Sequence, residues 1–266
     1  MRDVGVGFVF GRFLSGARFA ASGIAFTLSH RRLLLWSLIP MLVHALLFAL
    51  LVAMGVHYAG DVVDHIRPEP GHWYSFVGSV LYLAVVIFVL VVAALASLFL
   101  GGVVCDPFYD VLSETTESLL VGRDVSTPFS AASIAKGILL ELRALPWRLF
   151  LYLLVAIPLW LFSLTGAGSV IAVPLSLAWT WMFVALAGLT RSMARHAMPG
   201  RSRMGAVFTM PATSLGFGAV GWVLSYVPLT SPFLVVGGTR LYLALAAWDR
   251  IPSTLTDADK TAVRGA

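Results

Sequence analysis

Charge is scarce in this chain, and the scarcity excludes most soluble folds. Asp, Glu, Lys and Arg make up 12% of the 266 residues and hydrophobic side chains 59%. A soluble domain carries about 25% charged and about 45–50% apolar residues. The mean hydropathy is +0.91. The few charges are also clustered: none lies between Arg32 and Asp61, Glu69 and Asp106, Arg148 and Arg191, or Arg203 and Arg240. A hydrocarbon core about 30 Å thick takes about 20 apolar residues of helix, so each gap is long enough for a crossing. The composition points to an all-α integral membrane protein that crosses the bilayer several times.

Cysteine is equally scarce. Cys105 stands alone, which excludes an internal disulfide and a thiolate metal cluster. No Walker A loop, GxSxG elbow, HExxH helix or paired Cys/His spacing occurs, so neither ATP-driven nor hydrolytic chemistry is indicated. The reading is of a non-enzyme with no cofactor and no metal. A conventional signal peptide is also missing: Arg12 and Arg18 interrupt the apolar run from Val4 to Leu28, and no small-residue cleavage site follows. The net charge of +5 is no sign of nucleic acid, because the arginines flank the apolar blocks and set topology.

What is present is a series of apolar blocks in one membrane domain, residues 1–250, followed by a polar tail, 251–266. Residues 1–28 form an interfacial segment with its arginines at headgroup level. Gly7 and Gly11 make a GxxxG, a weak pointer to helix pairing. Transmembrane helices are expected over 33–56, kinked by Pro40, and over 77–104. Arg2, Arg12, Arg18, Arg31 and Arg32 precede the first, only Arg67 follows it, and Arg123, Lys136, Arg143 and Arg148 follow the second. The positive-inside rule puts the N-terminus and the 106–148 segment on the cytoplasmic side. Two further blocks, 149–190 and 204–248, are broken by "TGAG" at Thr165–Gly168 and "PLTSP" at Pro228–Pro232. Arginines bracket both breaks, so each block leaves the cytoplasmic side and returns to it, with the C-terminus cytoplasmic too. Leu149–Leu164 would span only about 24 Å as a helix. Both blocks therefore read as helical hairpins that penetrate the bilayer in part.

Between these blocks, the chain turns abruptly acidic. In "DPFYDVLSETTESLLVG", Asp106 suits an N-cap, Pro107 the first helical position and Gly122 the position after the last turn. Asp106, Asp110, Glu114 and Glu117 fall on one face of that helix and Phe108, Val111, Leu112 and Leu119 on the other. The expectation is an amphipathic cytoplasmic helix whose acids are solvated or paired with Arg143, Arg148 or Arg31. A carboxylate metal site and partner docking are the alternatives.

"PFYDVLSETTESLLVG" resembles the signature segment of the CysZ-type sulfate transporters and the related etoposide-induced-protein domain. "HRRLLLWSLIPMLVHALL", "TGAGSVIAVPLSLAWTWMFVAL" and "FGAVGWVLSYVPLTSPFLVVGGTRLYL" are similar to further family segments, in the same order. The match runs from about Gly11 to Asp249. It departs at "LTRSMARHAMP", where the family often has an Asp-Tyr-Pro-like element, and at His44, where asparagine is usual. The resemblance implies two long transmembrane helices with two partly penetrating hairpins, an oligomer, and sulfate uptake across the bacterial inner membrane for sulfur assimilation.

Sulfate, or a similar oxyanion, needs cationic donors that hold it weakly enough to let it leave. Arg31 and Arg32 match the family's basic pair associated with anion binding. They are equally placed to anchor the chain at lipid headgroups. Arg240, in an apolar context, should have a partner or face water. His44 is expected to make an interhelical hydrogen bond, with a proton-relay or substrate role as the alternative. The rival to transport is a membrane scaffold that docks soluble partners through the acidic 106–122 helix and the basic 191–203 loop.

Overall fold

The structure is a computed structural model and describes residues 6–66, 72–125, 131–227 and 230–266. Among them there are nine α-helices and no strand: α1 (Val6–Ser29), α2 (Arg31–Ile66), α3 (His72–Val121), α4 (Ala131–Ser163), α5 (Ser169–Arg195), α6 (Gly200–Thr209), α7 (Pro211–Ser225), α8 (Ser231–Ala247) and α9 (Asp257–Gly265). The chain is an all-α membrane protein. Among the described residues two helical stretches, Arg31–Tyr58 and Ser169–Arg195, are long and apolar enough to cross a bilayer by themselves. Leu42, Leu46, Phe88 and Val170 are among many large apolar side chains left more than half exposed, a surface suited to lipid.

Helices α2 and α3 pack against each other as an antiparallel pair. A Cβ on Gly55 would meet Val89 at 2.3 Å, and one on Gly101 would meet the His44 ring at 2.6 Å. Helices α1, α5, α7 and α8 form the main core around Ala20, Met182, Leu189, Phe217, Leu241 and Tyr242. A second apolar cluster, with Leu33, Cys105, Leu112 and Val236, joins α2, α3 and α8.

Several sequence expectations change. No new helix starts at Asp106: α3 runs on through Pro107 for 50 residues, about 75 Å at 1.5 Å per residue. One lost N–H is tolerated because the 106–121 stretch is held by packing on α5 and α8. The stop at Gly122 is as expected: its φ of +78° lies in the left-handed region that glycine adopts at little cost. From Val6 onward the N-terminal segment is one continuous helix. Gly7 and Gly11 touch nothing, whereas a Cβ on Gly16 would lie 2.0 Å from the Thr213 carbonyl oxygen.

The first hairpin breaks between α4 and α5, at the "TGAG" turn. Because α4 begins at Ala131, the 24 Å estimate for its apolar end does not describe the whole helix. In the second block α6 and α7 meet at 98°, and the "PLTSP" break includes residues 228–229, outside those described. Helices α7 and α8 have 15 and 17 residues, or about 22 and 26 Å, short of a 30 Å core. The tail folds as well. Ile251 and Leu255 are buried, and α9 starts with a capping box between Thr256 and Asp259.

Candidate functional site

Two polar regions meet the apolar scaffold. The first is the junction of α1 and α2, where the chain pauses at His30. Its ring donates from Nδ1 to the Phe26 carbonyl at 2.8 Å and lies 4.3 Å from the Phe26 ring. The first backbone bond across the pause is Leu34 N–H to the His30 carbonyl at 3.0 Å. The N–H groups of Arg31, Arg32 and Leu33 thus stay outside the helical ladder, at the positive end of the α2 dipole. Both arginine side chains are exposed.

Tertiary packing brings Arg240 from α8 to this same turn of α1. Its Nη1 donates to the Ser22 hydroxyl at 2.8 Å and to the Ser22 carbonyl at 3.3 Å, and the guanidinium sits 4.5 Å over the Phe26 ring. The partner expected of a half-buried arginine exists, and it is a hydroxyl, a carbonyl and a π-face. Among the described residues no carboxylate pairs with Arg31, Arg32 or Arg240.

His44 is buried, with one hydrogen bond inside α2 and a weaker one across to Cys105 of α3. Its Nδ1 donates to the Pro40 carbonyl one turn back at 2.8 Å. Because a carbonyl can only accept, this contact places the proton on Nδ1. The Cys105 sulfur lies 3.8 Å away, and Gly101 makes room for the ring. The arrangement fills space between α2 and α3.

The second polar region is the acidic stripe, and it faces inward. Asp106 accepts from Arg191 Nη2 at 2.5 Å, with Asp110 4.0 Å from the same guanidinium. Arg191 also lies 4.8 Å over the Tyr109 ring. Glu117 accepts from Arg195 at 2.8 Å and approaches His196 Nε2 at 3.2 Å. Burial opposes the Glu117 carboxylate, but His196 and Arg195 hold its pKa below the ordinary value. Glu114 and Glu117 are 6% and 5% exposed. Beside them the hydroxyls of Ser113, Ser192 and Thr239 form a buried triangle, 2.6 to 3.2 Å on its edges.

Among the described residues Asp106, Asp110 and Glu117 meet Arg191, Arg195 and His196, from the stretch that reads as a basic loop in the sequence, while the side chains of Arg143 and Arg148 lie outside those described. Helix α5 continues to Arg195, and its two arginines are spaced i, i+4, like Asp106 and Asp110 opposite. An inward stripe leaves the scaffold reading without its acidic docking face. Among the described residues no group of three or more His, Cys, Asp or Glu could hold a metal.

Together these features define an all-α membrane protein with two exposed arginines at the α1–α2 junction and a largely buried ion-pair network between α3 and α5. The chain belongs to the family described as sulfate transporter CysZ/etoposide-induced protein 2.4, whose model matches residues 19–235. It is 25% identical over 243 residues to the sulfate transporter CysZ of Pseudomonas syringae pv. tomato, covering 90% of this chain and 96% of that one. The Pseudomonas aeruginosa LESB58 protein of the same name is 25% identical, covering 86% and 95%. That of Pseudomonas fluorescens Pf-5 is 27% identical, covering 90% and 98%.

Proposed function

We propose that this protein is a permease or channel for sulfate or a similar oxyanion in the cell inner membrane, and that it supplies sulfur assimilation. The reading rests on the exposed pair Arg31 and Arg32 at the start of α2 and on Arg240 packed against α1, none of them paired with a carboxylate among the described residues, in a chain that aligns nearly end to end with proteins named sulfate transporters. A tetrahedral dianion gives up water only to comparable donors. Two guanidinium forks and the free N–H groups at the start of α2 supply them. Arg240 adds a further cation on the α1 side. The ion then moves down its own gradient or with protons. The protein works as a homo-oligomer, with both hairpins opening from the cytoplasmic side.

Flux of radiolabelled sulfate into liposomes, with sulfite, thiosulfate and molybdate as competitors, tests the activity directly. Calorimetric sulfate titration tests the site. Arg31→Ala/Arg32→Ala should abolish binding with insertion and oligomer size unchanged. Lysine at both positions should rescue only in part, because it keeps the charge and loses the planar fork. Full rescue by lysine would assign the two arginines to headgroup anchoring, and unchanged binding in the alanine protein would remove them from the site.

A further inference from the structure

We propose a second anion site, for the phosphate group of an anionic phospholipid, in the cavity between the first half of α1, the start of α7 and the end of α8. The cavity has a volume of about 390 Å³, and Arg12, Ser15, Thr213 and Arg250 line it together with apolar side chains such as Phe19 and Leu245. Its two cations come from opposite ends of the sequence. Arg12 rests 4.2 Å over the Phe8 ring, and neither it nor Arg250 has an ion-pair partner among the described residues. The carboxylate next to Arg250 in the chain, Asp249, is engaged elsewhere, 2.6 Å from Lys260 and 3.9 Å from Arg264. No acid among the described residues lines the cavity.

Neutral donors complete the set. The hydroxyls of Ser15 and Thr213 make no hydrogen bond among the described residues, although Thr213 is only 9% exposed. Helix α7 starts at the cavity wall with no side-chain cap. Its first ladder bond at this end runs from Ser214 N–H to the Met210 carbonyl, which leaves the Ala212 and Thr213 N–H groups free. A phosphate there meets two guanidiniums, two hydroxyls and a helix N-terminus.

The apolar part of the lining selects an amphiphile over a bare ion. Phe19, Leu241 and Leu245 offer nothing to inorganic sulfate or phosphate but suit glycerol and the first acyl carbons. Trp248, exposed at the rim, is the residue type that settles at the headgroup level. Occupation would tie α1 to the α7–α8 hairpin from outside.

Native mass spectrometry of the full chain in detergent tests this with three probes: phosphatidylglycerol, phosphatidylcholine and inorganic phosphate. Phosphatidylglycerol should be retained in preference to phosphatidylcholine and should resist displacement by millimolar phosphate. Arg12→Gln/Arg250→Gln should weaken it by roughly tenfold or more. Ala244→Phe, which fills the cavity and keeps both charges, should weaken it similarly. Arg31→Gln/Arg32→Gln removes the same net charge and should leave it unchanged. Wild-type retention in either cavity variant overturns the site, and so does an equal loss in the Arg31/Arg32 variant. Displacement by phosphate reassigns the cavity to a free ion and overturns the lipid assignment.

Discussion

Arg191 and Asp106 show how charge is spent at the residue scale. They are 85 positions apart and meet at 2.5 Å, with side chains 20% and 13% exposed. Removing one partner strands the other in a poorly hydrated site, while removing both with apolar replacements is nearly neutral. Arg191→Met alone should therefore cost on the order of 2–4 kcal/mol, read as a fall in thermal midpoint in detergent. Asp106→Leu/Arg191→Met should recover most of it. Simple additivity of the two single losses would mean that the residues are not coupled. The acids were legible in the sequence and their partners were not, because helix periodicity gives a face and says nothing about what the face meets. Arg240 is the same case: its need for a partner could be read from its apolar context, but Ser22 and Phe26 could not.

At the scale of the element, close approach decides which glycines matter. A Cβ on Gly216 of α7 would lie 1.9 Å from the Phe13 carbonyl oxygen of α1, and backbone cannot give way as a side chain can. Gly216→Ala should force the two helices apart and cost roughly 1–3 kcal/mol. Gly11→Ala, with nothing within 4 Å, should be neutral or stabilising by up to about 1 kcal/mol, since alanine is the better helix former. A denaturation series on the two variants separates them, and equal effects would refute the contact. The GxxxG at Gly7 and Gly11 has the pairing spacing without the pairing, because motif spacing is local and close approach is not. Helix α9 carries a further test. Arg123 donates twice to Asp259, at 2.9 Å each, and with the Thr256 contacts holds that carboxyl well below the usual range. Undocked, it titrates near the ordinary value of about 3.9. A carboxylate with a depressed folded pKa stabilises above its unfolded pKa and loses that contribution as pH falls. The tail should thus resist carboxypeptidase equally from pH 5 to 8, and Asp259→Asn should expose it at neutral pH. Equal resistance in that variant would show that the latch holds nothing.

For the whole molecule, the prediction concerns sidedness. Cysteines introduced as Ser202→Cys and Ser253→Cys in a Cys105→Ala background should react only from the cytoplasmic face. Labelling of Ser202→Cys from the outer face requires an odd number of crossings by α4 and α5 and would end the two-hairpin topology. Membership of the membrane class, the order of the apolar blocks, the breaks at Thr165–Gly168 and Pro228–Pro232, and the basic pair at Arg31 and Arg32 all follow from the sequence alone. Hydropathy and Pro/Gly punctuation act locally, and lipid as a solvent forces every long apolar run into helix. Three things came only from the tertiary structure: the unbroken passage of α3 through Pro107, the inward turn of the acidic stripe, and the placing of Arg12 and Arg250 on one cavity and of Arg240 on α1. Each depends on which helix faces which, and that choice follows from backbone contact at glycines and from pairing of distant charges.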